Sequence, residues 1–119
     1  KPFENNFQKI LIDSLKAAVQ EPTGTAFKLN NLHPDFVKIG GKTGTSQVVR
    51  IKEEEREYDL YKTKEIEDRF KDHSVFVGYA PLDNPKYIAS VIIENGGSGS
   101  AVAAPIAHKA LNFAHSLNV

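Results

Sequence analysis

The chain has 119 residues, enough for one small domain with a core of its own but too few for two. Its 15 basic and 15 acidic side chains cancel to zero net charge, which excludes the basic excess of a nucleic-acid surface. With no cysteine there is neither a disulfide framework nor a thiolate metal site, and no apolar run approaches the length that spans a bilayer.

Phe3, Phe7, Ile10, Leu11, Leu15, Ala18 and Val19 recur at helical spacing with polar residues between them. The pattern predicts an amphipathic helix that packs its stripe on a core, stopped by Pro22 and Gly24. Asn30, Asn31 and Pro34 mark a loop. Phe36 to Val49 then reads as a strand: Phe36, Val37 and Ile39 enter it, Val48 and Val49 leave it, and Gly40-Gly41-Lys42-Thr43-Gly44-Thr45 lies between. Glycines inside a strand weaken it and suggest close approach of another backbone or a ligand.

Arg50 to Asp72 is charge-dense and reads as a solvated surface excursion. Within it Thr63 is suited to cap a short helix, with Glu65 and Glu67 in its first turns and Ile66 and Phe70 on one face. Ser74 to Ala80 and Lys86 to Ile93 read as strands joined by the hairpin connection Pro81 to Pro85. A glycine-serine stretch, Gly96 to Ser100, precedes a final helix over Ala101 to Leu117, in which Pro105 fits only in the first turn. The expected fold is mixed α/β: a three-stranded antiparallel sheet flanked by N- and C-terminal helices, with Lys42 to Thr45 on an exposed edge.

Chemistry concentrates at Lys42-Thr43-Gly44-Thr45. Lys-[Ser/Thr]-Gly arises by chance in roughly 5% of chains this long, so the tripeptide alone is weak and its context must carry it. Lys42 offers a fixed positive charge and Thr43 a hydroxyl, a pair suited to a carboxylate. A strict pleat points these two side chains to opposite faces, so both reach one ligand most easily when the ligand lies along an edge strand. Gly44 then keeps a Cβ out of the approach path, and the Thr45 backbone N–H is available to an anionic oxygen. The bland alternative is an edge strand with a solvating lysine.

Gly41 to Val48 resembles the KTGT-x-QV form of the third active-site motif of class B penicillin-binding proteins. Glu21-Pro22-Thr23-Gly24-Thr25-Ala26 is similar to the P-x-GTA turn that precedes this strand in the family. Asp72 to Pro81 resembles its D-H-x-x-F-x-G-Y-A-P segment, and Glu94 to Gly99 with Ala103-Ala104-Pro105 resembles its last strand-to-helix junction. The matches run in order along nearly the whole chain. More than twenty residues separate the K-T-G motif from the next strand, which together with E-N-G-G looks like the elongation-type enzymes, the penicillin-binding protein 2 group; division-type enzymes are the nearest rival.

The resemblance implies the C-terminal part of a penicillin-binding/β-lactamase-like transpeptidase fold, whose complete sheet has five strands. It implies an enzyme that cross-links peptidoglycan stem peptides and is acylated by β-lactam antibiotics. Lys42, Thr43, Gly44 and Thr45 would bind substrate, with the Thr45 backbone N–H as an oxyanion donor. No metal or organic cofactor is implied. Expected partners are the stem peptide, β-lactams, the rest of the transpeptidase domain and cell-elongation proteins, but no nucleic acid. The expected location is the periplasmic face of the inner membrane.

The departure from the family is that no S-x-x-K occurs: Ser14 is followed by Leu15-Lys16-Ala17 at the wrong spacing. Ser116-Leu117-Asn118 spells S-x-N but follows K-T-G instead of preceding it. The nucleophile, its lysine base and the middle serine are therefore expected N-terminal to Lys1. The absence of methionine likewise suggests a processed or excised chain, with any membrane anchor outside it. The piece is then expected to be inert alone. Two further readings of the same edge strand are a penicillin-sensing domain without turnover and a peptide-capturing module.

Other candidates carry less. Gly97-Ser98-Gly99 lies between a strand and a helix, as in a dinucleotide site, but the sixth position of that fingerprint is Val102 and no ribose-binding acid follows. As structure, these glycines would bring the last helix close to the sheet. His33, His73, His108 and His115 lack metal-ligand spacing and read as surface or satisfied polar residues, with His73 at a strand start the one to watch. Glu53-Glu54-Glu55 contains no identifiable catalytic pair.

Overall fold

The computed structural model describes residues 5–48 and 71–117. The order is helix α1 (Asn5–Gln20), a one-turn helix α2 (Leu29–Leu32), strands β1 (Gly40–Ser46), β2 (His73–Ala80) and β3 (Tyr87–Ile93), a wide π-helical turn (Gly99–Ala103) and helix α3 (Ala104–Ser116). The strands form one antiparallel sheet, as the alternating apolar runs predict, and their order is β1-β2-β3. β1 is thus an edge strand, and among the described residues its outer side has no partner strand.

Cross-strand partners share a face of the sheet. Thr43 and Thr45 pair with Phe76 and Ser74, both fully buried. That face carries the core: Phe76 lies in one buried cluster with Val19 of α1, Leu29 of α2, Ile39, and Ala104, Ala107 and Leu111 of α3. Lys42 and Gly44 pair with Val77 and Val75 on the opposite face. There Ile88 and Ile92 of β3 are 80% and 64% exposed, and Val77 is exposed as well.

Several sequence expectations are corrected. The strand predicted over Phe36 to Val49 is limited to Gly40–Ser46. Its predicted start is taken by α3: the Val37 N–H donates to Asn112 Oδ1 at 2.9 Å, and the Val37 carbonyl is 2.9 Å from His108 Nε2. With both main-chain groups satisfied by a helix, Val37 has nothing left for a ladder. The Val48 N–H donates to Asp72 Oδ1 at 3.1 Å, and Val49 lies outside the described residues. The loop expected at Asn30-Asn31 is the single turn α2, pinned by buried Leu29 and by Asn30 Nδ2, which donates to the Val19 carbonyl at 2.8 Å.

The apolar stripe of α1 is only partly covered. Val19 is buried, but Phe7 and Ile10 are 57% and 60% exposed and Leu11 is exposed too. The final helix begins three residues later than expected, at Ala104, because the π-helical turn occupies Gly99–Ala103; Pro105 does lie in its first turn. The hairpin forms as predicted and closes with the Lys86 N–H on the Ala80 carbonyl at 2.9 Å. The Thr63-capped helix and the acidic run Glu53 to Glu55 lie outside the described residues.

Candidate active-site strand

Two hydrogen bonds register the end of α1 and the turn after it on β1. Gln20 Nε2 donates to the Ile39 carbonyl at 2.9 Å, just before the strand. The chain then turns, with the Gly24 N–H on the Glu21 carbonyl at 2.8 Å and the Ala26 N–H on the Ala18 carbonyl at 2.9 Å, while Ala26 is buried. This turn carries Thr25 to the strand, where its hydroxyl lies 3.0 Å from that of Thr43. Thr25 belongs to a segment singled out in the sequence, but nothing there marked it as a neighbour of the motif. The contact depends on how α1 approaches β1, which spacing along the chain does not report.

Lys42 is exposed, and its Nζ donates to the Thr43 carbonyl at 2.9 Å. That bond uses one of three ammonium protons and leaves two for a ligand. Thr45 is exposed, and Thr43 and Gly44 are half-buried. Lys42 and Thr43 do stand on opposite faces of the sheet, as the pleat requires.

The strand is backed by the π-helical turn. A Cβ added at Gly99 would collide with the carbonyl oxygen of Gly44 and come within 2.5 Å of the Val75 carbonyl oxygen and 2.9 Å of the Gly44 nitrogen. Gly99 thus makes the close approach expected of the glycine cluster. Gly97 does not: it adopts a positive φ of 87° with nothing near its missing side chain, so it serves the turn's conformation. A Cβ at Gly44 would meet Val75 Cβ at 3.4 Å, an ordinary contact. Buried Ser74 holds the turn in place. Its hydroxyl donates to the Ser98 carbonyl at 2.7 Å and accepts from the Ala103 N–H at 3.0 Å.

Three of the four histidines make structural contacts, and His115 is exposed on α3. His73 Nδ1 accepts from the Asn95 N–H at 2.9 Å. His108, expected at the surface or satisfied, is buried with Nε2 on Val37 and Nδ1 without a partner among the described residues. His33 stacks on Phe36, and both rings approach His108 edge-on. Burial pushes His108 below the ordinary histidine value, the Val37 carbonyl opposes this, and nearby His33 and Lys38 add to the lowering. Among the described residues no group of three or more His, Asp or Glu side chains could hold a metal ion.

The seven serines offer no assembled nucleophile in sequence, none being followed by lysine at the third position. In space Ser14 and Ser116 bond back to their own helices, Ser98 and Ser100 bond to each other, and Ser74 is committed to the turn. Ser46 is exposed at the end of β1.

The family described as the penicillin binding protein transpeptidase domain matches residues 1–112. The peptidoglycan D,D-transpeptidase MrdA of Haemophilus influenzae is 43% identical over 76 residues, which are 64% of this chain and 11% of that protein. Among solved structures, Pseudomonas aeruginosa PBP2 in complex with WCK 5153 is 35% identical, with a TM-score of 0.55 over 77% of this chain and 16% of that one. Helicobacter pylori PBP2, solved in complex with MreC, is 21% identical and shares the fold, with a TM-score of 0.72 over 98% of this chain and 19% of that one. The chain thus spans about a tenth of the curated relative's length. With its Lys42-Thr43-Gly44 motif on an edge strand of the described antiparallel sheet, this chain belongs to the penicillin-binding protein transpeptidase domain family.

Proposed function

We propose that these residues supply the substrate-binding edge strand of a peptidoglycan D,D-transpeptidase of the elongation type. The observation that carries the reading is Lys42 to Thr45 on an edge strand with no neighbour on its outer side among the described residues, in a chain of transpeptidase sequence. A stem peptide ending in D-Ala-D-Ala lies along that edge, and its terminal carboxylate is held by Lys42 and Thr43. A serine hydroxyl from the rest of the transpeptidase domain attacks the carbonyl between the two D-alanines, its proton passing to a lysine base. The Thr45 N–H donates to the oxyanion of the tetrahedral intermediate. Collapse breaks the peptide bond, releases D-alanine with the transferred proton and leaves an acyl-enzyme. An amine on a neighbouring strand attacks the ester, forms the cross-link and returns the serine. A β-lactam follows the first half alone, its amide opening onto the same serine with no group leaving.

The exposed Ile88 and Ile92 on one sheet face, with Phe7 and Ile10 on α1, support a further domain portion as a partner, since large apolar side chains gathered in this way favour cover. MreC accompanies the Helicobacter pylori relative, which favours a cell-elongation protein as a second partner. The site of action is the periplasmic face of the inner membrane.

Penicillin labelling tests the assignment. Full-length protein incubated with benzylpenicillin should gain one hydroxylamine-labile adduct by intact mass, and residues 1–119 alone should gain none. Reversible penicillin binding by the full-length protein with no covalent adduct would instead indicate a sensing domain. A stoichiometric adduct on any of the seven serines here would overturn the placement of the nucleophile.

A further inference from the structure

We propose that Thr25 is a positioning residue for carboxylate recognition: its hydroxyl donates to Thr43 and thereby aims the Thr43 proton at the ligand. The inference rests on the transpeptidase reading above. The two hydroxyl oxygens lie 3.0 Å apart, and the geometry allows either to be the donor. A bound carboxylate settles the direction. An ionised carboxylate only accepts, so the Thr43 hydroxyl that touches it must donate its single proton outward. Thr43 can then meet Thr25 only with a lone pair, and Thr25 must be the donor. The result is a one-way chain from the Thr25 hydroxyl to the Thr43 hydroxyl to the carboxylate, in which each bond polarises the next.

The placement of Thr25 is built. The turn that carries it is fixed by two backbone hydrogen bonds and by buried Ala26 beside it. The helix before it is tied to the start of the same strand through Gln20 and Ile39. Without that donor the Thr43 hydroxyl keeps its rotational freedom, and part of the cost of ordering it falls on ligand binding. Thr25 needs no contact with the ligand, and its effect passes through Thr43 alone.

The test is a double-mutant cycle in the full-length protein, reading the second-order rate of acylation by benzylpenicillin. Thr25→Val should slow acylation about 3- to 10-fold, the range of one ordinary hydrogen bond. Thr25→Ser, which keeps the hydroxyl, should restore the rate to within about 2-fold of the original. In a Thr43→Val background, Thr25→Val should add nothing further. Thr25 is exposed, so thermal unfolding should match across the series and separate a site effect from a folding effect. An acylated parent protein whose Thr25→Val rate is unchanged overturns the relay alone. A slowing that persists in full without the Thr43 hydroxyl also overturns it, because Thr25 would then act on the ligand by another route. A parent protein that benzylpenicillin never acylates overturns the transpeptidase reading first, and the relay with it.

Discussion

Gly99 and Lys42 show how differently single residues enter this site. Gly99 touches no ligand in the scheme, yet its missing Cβ is what lets the π-helical turn close on the backbone of Gly44. Gly99→Ala forces either the turn or the strand to move. Overpacking of this kind costs about 1–3 kcal/mol, so chemical denaturation of the full-length protein should show a loss in that range. Because the displaced neighbour is the motif strand itself, penicillin acylation should slow as well. Wild-type stability and acylation in Gly99→Ala would mean the strand does not depend on that contact. Sequence alone made the Lys42-Thr43-Gly44-Thr45 run legible, since residue identity is what its chemistry requires. It placed Thr25 in a family-like turn without marking it as a neighbour of Thr43, and it gave Gly97 and Gly99 one packing role that only Gly99 fills, because both distinctions rest on distances between segments remote in the chain.

At the scale of elements, α3 acts as a clasp on the entry to β1. His108 and Asn112 bind the carbonyl and N–H of Val37, more than seventy residues away. This is why the strand is shorter than its apolar pattern suggests: competing hydrogen bonds from a distant helix are invisible to periodicity. The same limit explains α2, where the Asn30 amide caps the end of α1 instead of marking a loop. The three strands, the edge position of the motif and the first-turn Pro105 follow from local pattern and turn chemistry, and these were legible.

The clasp also carries a pH dependence. Burial holds folded His108 below the ordinary value near 6.5, while the unfolded chain keeps that value. Below about pH 6.5 the unfolded state therefore binds more protons than the folded one, and stability falls as pH falls. It is fully present above the unfolded pKa, and the loss levels off only once folded His108 itself protonates. Thermal melting of the full-length protein should decline from pH 7 toward pH 5. His108→Gln, which keeps a donor for Val37 but does not titrate, should flatten that decline. An unchanged slope in the variant would assign the acid sensitivity elsewhere.

As a whole molecule, the described chain has one well-buried sheet face and one with large apolar side chains in solvent. The amphipathic reading of α1 was right about its pattern but not about its cover: Val19 at its C-terminal end meets the core, whereas Phe7 and Ile10 do not. Hydrophobic spacing says that a face seeks a partner and not whether these 119 residues contain it. The central claim is that the edge strand of this piece holds the ligand's carboxylate for a serine supplied from elsewhere in the domain. The most direct measurement is the rate of benzylpenicillin acylation of full-length Lys42→Ala against wild type, with thermal unfolding followed in parallel. A charge-assisted contact to a carboxylate contributes about 1.5–3 kcal/mol, so the variant should acylate about 10- to 150-fold more slowly while unfolding at an unchanged temperature. Equal acylation rates would contradict the claim and return Lys42 to the status of a solvated edge-strand lysine.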